Sequence, residues 1–382
     1  MNDYICARTH QCVCEHTTII IMAMRMFMKV AVWALLGMAL SCGPTFENPL
    51  PVAMGDPFLL CPSGGGYYLY GTSDKYNGFV TYRSQDLVTW EEIPRVFDTK
   101  QKKAWGTNSH WAPEVYERNG RFYMFYSANW KENPNNEREN FRIGVAVSDS
   151  PEGPFVNVSS GPLFDPGFPA IDAHVYFDDE AGTACLYFSR CCYKNPVESE
   201  LAVKMREEGV YKEITESWIY GIALKPDMSG TIGEPVLLVR PAMKMDDPQN
   251  EWESRSVLAR EINMRWSEGP FVVKQGGRYH MVYSANFYAG PYYAMGCAVS
   301  DNPLGPFVKS PLNPIMQADG KVTGTGHGMF ATLPSGQMVC VYHGRTAETG
   351  KARVVFIDKM HFSSDGDLVI DGPTLHTPVK VR

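Results

Sequence analysis

The chain has 382 residues, of which 44% are hydrophobic and 20% charged, a composition that is ordinary for a soluble globular protein with a buried core. Its net charge is −7 and it contains no basic block, which argues against a nucleic-acid partner. Aromatic residues make up 12%, and 34 glycines and 27 prolines indicate many short strands joined by turns.

The first 50 residues differ from the rest. After Arg25 and Lys29, an apolar run of about a dozen residues leads to Cys42, and this run is too short to anchor the chain across a bilayer. Such a segment is typical of a secretory signal, and a cysteine directly after small residues indicates a bacterial lipoprotein with lipid on Cys42. A plain signal peptide and a cytoplasmic protein are the alternatives. Residues before Met24 fit no signal and are interpreted as a misread start.

We therefore expect export across the inner membrane, to the periplasm, the outer membrane or the cell surface. Contact with a membrane is expected only through the lipid anchor.

Ten cysteines occur in the chain, and six of them follow the signal region. These six are Cys61, Cys185, Cys191, Cys192, Cys297 and Cys340. None belongs to a C-x-x-C pair, so a zinc site is not expected. Most lie inside strand patterns and are interpreted as small buried apolar residues. One disulfide after export is left open by the sequence.

A repeated module organises the remaining chain. Residues 120–129 (GRFYMFYSAN) and 277–286 (GRYHMVYSAN) are two copies with a constant offset of 157. Five apolar-aromatic strands follow glycine-containing turns, at residues 67–70, 123–126, 185–188, 280–283 and 338–342. No helical period competes with them, and the strongest helical candidate is the insert around residues 198–212.

Five sheet units of about 55–95 residues predict an all-β, five-bladed β-propeller, because radial repetition hides most sheet edges. The predicted organisation is a signal peptide, a linker and one propeller domain, at residues 1–41, 42–48 and 49–382. We expect a monomer.

One position carries a different side chain in every unit. Nine or ten residues before the turn glycine stand Asp56, Trp111, Asp172, Glu268 and His327, which we call the inner-strand set. Because the first strand of each blade lines the propeller axis, we predict that these side chains meet at one mouth of the channel. Divergence inside a regular repeat is typical of a site built on a scaffold. The alternative is a set of turn residues at a solvated mouth.

Three carboxylates at one mouth suit glycoside hydrolysis. That reaction needs a protonated acid and an ionised carboxylate, about 6.5–9.5 Å apart in inverting enzymes and about 5–5.5 Å apart in retaining ones. Glu268 has apolar neighbours at Trp266 and Phe271. Burial raises a carboxyl pKa, so we interpret Glu268 as the general acid. Asp56 is then the general base, and Asp172 is the third carboxylate that raises the pKa of the acid.

Six short motifs support this interpretation in a fixed order. They are Gly55-Asp56-Pro57, Trp111-Ala112-Pro113-Glu114, Ile171-Asp172-Ala173, Ser267-Glu268-Gly269-Pro270, Gly324-Thr325-Gly326-His327-Gly328 and Tyr342-His343-Gly344-Arg345. The ordered set resembles glycoside hydrolase family 43, five-bladed propellers that cleave arabinose- and xylose-containing glycans with inversion. The resemblance implies a carbohydrate substrate, with Asp56 as general base, Asp172 as pKa modulator and Glu268 as general acid.

The resemblance also implies further site residues. His327 matches a histidine near which the family often holds calcium or a water cluster, although one imidazole alone is a poor calcium site. No cofactor is expected for the chemistry itself. Arg345 resembles the family's substrate-contacting arginine, and Trp111 is expected to stack on a sugar ring. Asn129 and Asn286 end equivalent strands and are candidates for the rim. A hydrogen-bonded core histidine, a surface arginine and a core tryptophan are the structural alternatives.

Other functions compete with this one. Residues 84–90 approach a sialidase Asp-box but lack its glycine, and the Arg-Asp-Pro triplet of fructan-cleaving relatives is absent. A non-catalytic, glycan-binding surface propeller and a protein-interaction propeller are further alternatives, and the intact carboxylates argue against both. The sugar and linkage are not set by the sequence. Removal of terminal sugars is favoured, with an endo-acting arabinanase as the alternative. Because the β-sandwich of larger relatives is missing, we expect a more open cleft, shaped by the insert 195–265.

Overall fold

The computed structural model describes residues 45–191, 200–211, 213–241, 250–255 and 262–380. The predicted signal peptide at 1–41, the predicted lipid attachment at Cys42, and Cys192 lie outside these ranges. Within the described ranges, no helix is both long and apolar enough to cross a membrane.

Five four-stranded antiparallel blades follow one another along the chain. Blade 1 contains β2 (Gly55–Leu60), β3 (Tyr67–Thr72), β4 (Phe79–Ser84) and β5 (Glu91–Glu92). Blade 2 contains β6 (Trp111–Arg118), β7 (Arg121–Asn129), β8 (Phe141–Ser148) and β9 (Val156–Asn157). Blade 3 contains β10 (Ala170–Asp178), β11 (Thr183–Arg190), β12 (Glu213–Leu224) and β13 (Thr231–Val239). Blade 4 contains β14 (Ile262–Gln275), β15 (Arg278–Ala285), β16 (Ala294–Ser300) and β17 (Val308–Lys309). Blade 5 contains β18 (Val322–Thr332), β19 (Met338–Thr346), β20 (Val354–Phe362) and β21 (Leu368–Ile370).

In the described part of the chain, four short elements lie outside the blades: β1 (Thr45–Glu47), β22 (Pro378–Lys380), α1 (Glu200–Glu207) and α2 (Asn250–Glu253). Helix α1 falls inside the insert where the sequence predicts a helix. Blades 3 and 4 are joined by a parallel pairing of β12 with the start of β14, so the insert adds strand length at this junction.

The first strands of the blades surround a common axis. Each lies against the first strand of the next blade, in the order β2, β6, β10, β14 and β18, and β18 in turn contacts β2. The segment before β2 also bonds to blade 5, since Leu50 N donates to Val355 O over 2.8 Å. The predicted all-β, five-bladed β-propeller is confirmed.

The second strand of each blade explains the aromatic repeats. It is covered on both faces, and each contains a fully buried tyrosine: Tyr70, Tyr126, Tyr187, Tyr283 and Tyr342. A buried tyrosine usually needs a partner for its hydroxyl group. Tyr126 donates to Asn157 Oδ1 over 2.6 Å, and Tyr342 donates to Asp358 Oδ2 over 2.6 Å. The repeated aromatic strands therefore form the cores between blades and hold the first strands in place.

Candidate active site

Every first strand carries a β-bulge at the same end of the propeller. One residue in each bulge has a positive φ: Asp56 (52°), Ala112 (43°), Asp172 (58°), Gly269 (57°) and His327 (52°). Positive φ is uncommon outside glycine, and bulges re-aim the neighbouring side chains. The five bulges therefore mark the end of the channel at which side chains leave the regular strand pattern.

A hydrogen bond from each bulge amide to the preceding blade supports this backbone. The five pairs are Ala112 N to Thr72 Oγ1 (2.8 Å), Asp172 N to Ser127 Oγ (3.0 Å), Gly269 N to Ser189 Oγ (3.2 Å), His327 N to Ser284 Oγ (2.7 Å) and Asp56 N to His343 Nδ1 (3.2 Å). Four acceptors are hydroxyl groups and one is an imidazole. We call these bonds the junction ring, because they tie all five blades together around the site.

The prediction that the inner-strand set occupies one equivalent structural position in all five blades is wrong. In blades 2 and 4 the bulge residues are Ala112 and Gly269, whereas Trp111 and Glu268 stand one residue earlier. Counting from the turn glycine failed because the hairpin loops differ in length. Two residues join β6 and β7, since Arg118 pairs with Arg121, but five residues, 333–337, join β18 and β19.

The side chains of the inner-strand set nevertheless meet in one cleft of about 570 Å³. Asp56, Trp111, Asp172, Glu268 and His327 all line it. Two other clefts, of about 730 Å³ and 750 Å³, are lined by none of the three carboxylates. The predicted convergence of Asp56, Asp172 and Glu268 is therefore present in the structure, and we call this cleft the catalytic cleft.

Asp56 is held as an anion by surrounding cationic and polar groups. Its Oδ1 lies 2.9 Å from Arg353 Nη1, 3.4 Å from His327 Nδ1 and 3.6 Å from His343 Nδ1. Burial alone would raise the pKa of Asp56, but the Arg353 guanidinium, with a smaller contribution from His327, outweighs burial and holds the pKa well below its usual range. Asp56 is therefore ionised at any ordinary working pH.

Asp172 contacts the backbone beside Glu268. Its Oδ2 accepts hydrogen bonds from Ser189 Oγ and from Gly269 N, both over 3.2 Å. Burial raises the pKa of Asp172 to about 6; His327 opposes this rise and the negative charge of Asp56 adds to it. Asp172 thus fixes the peptide that carries Glu268 and adds negative charge next to it.

Glu268 has the opposite protonation preference from Asp56. Burial and the neighbouring charge of Asp172 raise the pKa of Glu268 well above its usual range, against the effect of a hydrogen bond from Tyr293. Tyr293 Oη donates to Glu268 Oε1 over 2.9 Å. The Tyr293 ring also stacks on His343, with a centroid distance of 5.6 Å. Glu268 can therefore hold a proton in a site where Asp56 has lost one.

Trp111 and Arg345, which were both predicted to contact the sugar, lie in different parts of the structure. Trp111 lines the catalytic cleft and packs on Phe141, with ring centroids 4.5 Å apart. The structure places Arg345 outside that cleft, where its Nη1 donates to Tyr288 O over 2.8 Å and its Nε donates to Lys351 O over 3.1 Å.

The two asparagines are likewise not among the residues that line the catalytic cleft. Asn286 is buried, and its side chain holds the backbone of Trp252, Tyr292 and Arg255. Asn129 bonds to Asn108 Oδ1 over 2.7 Å and accepts from Asn140 N over 2.9 Å. Both side chains are engaged in holding loops, which corrects their predicted place at the rim of the site.

Arg353, Tyr293 and His343 were not predicted as site residues. Arg353 directly precedes the fully buried segment Val354–Asp358, and a charge at the start of such a strand is a signal that could have been used. His343 lies inside a quoted motif but carries no predicted role. Tyr293 lies in the loop before β16 and has no sequence signal that we can identify.

The side chains around His327 do not form a calcium site by themselves. Calcium prefers six to eight oxygen ligands, whereas the oxygen nearest to His327 already pairs with the cationic Arg353. Among the described residues, no group of three or more His, Cys, Asp or Glu side chains is arranged to hold a metal. A calcium ion or a water cluster near His327 stays a prediction.

Known proteins resemble this chain over most of its length. The sequence profile described as "Glycosyl hydrolases family 43" matches residues 46–368. A crystal structure of a thermostable family-43 glycoside hydrolase is 36% identical, with a TM-score of 0.74, over 88% of this chain and 99% of that one.

Among curated relatives, the β-D-galactofuranosidase xynD of Aspergillus niger is 27% identical, covering 79% of this chain and 78% of the relative. A xylosidase/arabinosidase of Bacteroides ovatus is 25% identical over 79% and 82%. An extracellular exo-α-(1→5)-L-arabinofuranosidase of Streptomyces chartreusis is 24% identical over 78% and 82%.

Proposed function

Because this chain belongs to glycoside hydrolase family 43 and is a glycosidase, we propose that it removes terminal α-L-arabinofuranosyl or β-D-xylosyl residues from plant cell-wall glycans with inversion. Relatives named for these two sugars support the substrate class. The observation that carries the mechanism is that two carboxylates in one cleft have opposite surroundings. Asp56 is stabilised as an anion by Arg353, whereas burial and Asp172 favour the protonated form of Glu268.

The proposed reaction is a single displacement. Asp56 takes a proton from a water molecule, and the oxygen of that water bonds to the anomeric carbon. Glu268 gives its proton to the glycosidic oxygen as the bond from that oxygen to the anomeric carbon breaks. The products are a free sugar of inverted configuration and an alcohol, and the two carboxyl groups have exchanged protonation states. A second proton exchange with solvent restores them.

Asp172 is proposed to act through Glu268. The hydrogen bond from Gly269 N to its Oδ2 fixes the peptide next to the acid, and its charge keeps the acid protonated. Trp111, at the wall of the catalytic cleft, offers an aromatic face to a sugar ring. His327 and Arg353 hold Asp56 and lie where they can also contact hydroxyl groups of the sugar.

Two alternatives keep specific support. An endo-acting arabinanase would use the same three carboxylates and differ only in cleft shape. The relative named as a β-D-galactofuranosidase extends the furanosides to be tested beyond arabinose.

We further propose export with a lipid anchor on Cys42 and a monomeric enzyme; the extracellular description of one relative supports export.

The test is hydrolysis of the nitrophenyl α-L-arabinofuranoside, β-D-xyloside and β-D-galactofuranoside beside arabinan and arabinoxylan. Release of single sugars supports terminal cleavage, and release of oligosaccharides supports the endo alternative. Asp56→Asn and Glu268→Gln should each abolish hydrolysis of natural glycans without unfolding the protein. NMR of the first product should show inverted configuration, and retention would remove the role of Asp56 as a base.

A further inference from the structure

A second cleft of about 750 Å³ lies directly beside the catalytic cleft. The two clefts share four lining residues: Ser73, Asp74, Tyr288 and Arg353. Both volumes fall within the usual range of ligand pockets, about 300–1,000 Å³. These four residues form the wall between the two clefts. A molecule bound in the catalytic cleft could therefore extend past this wall into the second cleft.

That wall is a fixed arrangement of charged and aromatic groups. Arg353 donates from Nη1 to Asp56 and from Nη2 to Asp74 Oδ1, over 2.9 Å and 2.6 Å. Its guanidinium lies 5.1 Å from the centroid of the Tyr288 ring. The Arg353 side chain is only 7% exposed, whereas the Asp74 side chain is 50% exposed. The Arg353 part of the wall is therefore buried and held in place, whereas the Asp74 carboxylate and the Tyr288 side chain, which is 37% exposed as a residue, are accessible to a ligand that crosses the wall.

Arg345 supports the same wall from the second cleft. It lines that cleft, and its hydrogen bond to Tyr288 O fixes the loop that carries the Tyr288 ring. The arginine that sequence similarity assigns to substrate contact is thus part of the second cleft.

The second cleft also carries an exposed but immobilised aromatic ring. Tyr76 is 51% exposed. Its hydroxyl donates to Phe79 O over 2.7 Å, and its backbone N donates to Ser73 Oγ over 3.2 Å. The C–H groups of a sugar ring carry partial positive charge and pack favourably on the negative face of an aromatic ring. A ring that is already fixed loses little conformational entropy on binding. Tyr76 therefore has the properties of a stacking platform.

We propose that the second cleft binds the sugar next to the one being removed, with Tyr76 as its stacking residue. This inference rests on the proposed function and makes it more specific. The preferred substrate is an oligosaccharide or polysaccharide chain, rather than a glycoside with a small leaving group. Asp74 and Tyr288 in the wall bind hydroxyl groups of this second sugar.

The test compares a substrate that reaches the second cleft with one that cannot. A glycosyl fluoride of the preferred sugar has a single-atom leaving group, and the matching trisaccharide, arabinotriose or xylotriose, extends beyond the catalytic cleft. For Tyr76→Ala we expect kcat/KM on the trisaccharide to fall about tenfold, mainly through KM, because an aromatic contact contributes on this scale. Turnover of the fluoride should be unchanged. Tyr76→Phe keeps the ring but loses the hydrogen bond to Phe79 O, so kcat/KM on the trisaccharide should fall less than in Tyr76→Ala.

Tyr292→Ala is the matched control, since Tyr292 has a similar exposure of 49% and lines neither cleft. It should leave kcat/KM for both substrates unchanged, and the thermal midpoints of both variants should match wild type. If Tyr76→Ala lowers both substrates equally, or neither, the second cleft does not bind the sugar. The same follows if wild type cleaves the fluoride but not the trisaccharide. If wild type does not cleave the fluoride, the proposed function itself fails.

Discussion

Replacement of Arg353 by glutamine should shift the acidic limb of the pH–activity profile upward. Arg353 is the guanidinium that pairs with Asp56, at 2.9 Å, whereas the two imidazole nitrogens lie 3.4 Å and 3.6 Å away. An opposite charge this close lowers a carboxyl pKa by about 1–3 units. Without it, burial would raise the pKa of Asp56. Since the base acts as an anion, activity would be lost at a higher pH as the solution is acidified.

The assay is kcat/KM on a soluble substrate across the pH range, which reports the ionisation of the free enzyme. We expect the acidic limb of Arg353→Gln to lie about 1–3 pH units above wild type, while the basic limb moves much less. Arg142→Gln is the matched control. Arg142 is also a buried arginine bound to two carboxylates, Glu137 and Asp165, and it does not line the catalytic cleft.

The pH dependence of the free energy of unfolding provides a second test of the role of Arg353. A carboxyl group whose pKa is lowered on folding stabilises the fold above its unfolded pKa and loses that contribution as the pH falls through the folded value. The stability difference between wild type and Arg353→Gln should therefore shrink in acid. An acidic limb of Arg353→Gln that coincides with wild type would refute the conclusion that Arg353 keeps Asp56 ionised.

Three further predictions concern the acid. Glu268→Gln should lower kcat on natural glycans by about 10²–10⁴-fold, the usual contribution of general acid catalysis. The variant should retain turnover of a glycosyl fluoride, because fluoride leaves without protonation. Loss of both activities would exclude the acid role. Because the pKa of Glu268 is raised in the folded protein, ionisation of this group destabilises the fold as the pH rises. Glu268→Gln should therefore melt at a higher temperature than wild type at neutral and alkaline pH, with the difference closing in acid. Equal melting curves at all pH values would contradict this. Tyr293→Phe removes a hydrogen bond that lowers the pKa of Glu268, so the basic limb of kcat/KM should move to higher pH, and an unchanged limb would show that the bond does not act on the acid.

The blades and the three carboxylates could be predicted because both depend on local sequence patterns. Apolar-aromatic strands after glycine turns recur five times, and the second strands are indeed buried on both faces. Asp56, Asp172 and Glu268 stand out because each is a polar residue at the start of a strand that otherwise repeats. Closing the repeats around an axis brings these three together without any information about long-range contacts.

The partners of the carboxylates could not be predicted in the same way. Arg353 reaches Asp56 across 297 positions of chain, and Tyr293 reaches Glu268 from a loop. Neither contact leaves a periodic signal. Equivalent repeat positions also gave wrong inferences: Asn129 and Asn286 end matching strands, but each side chain bonds to its own loop. The exact bulge register depended on hairpin loop lengths, which a count from glycine cannot measure.

The junction ring explains how one repeated backbone feature supports two opposite protonation states. At the junction of blades 5 and 1, His343 takes the place that a hydroxyl group has elsewhere and accepts the Asp56 N–H through Nδ1. That nitrogen must be unprotonated to accept, and burial, with the charge of Arg353, lowers the pKa of His343 well below its usual range. Unlike a hydroxyl group, the imidazole also has a flat face, on which Tyr293 stacks while it bonds to Glu268. His343 therefore contacts both the backbone of Asp56, the proposed base, and the ring of Tyr293, which donates a hydrogen bond to Glu268, the proposed acid. A substitution of His343 would alter the surroundings of the base and of the acid at once.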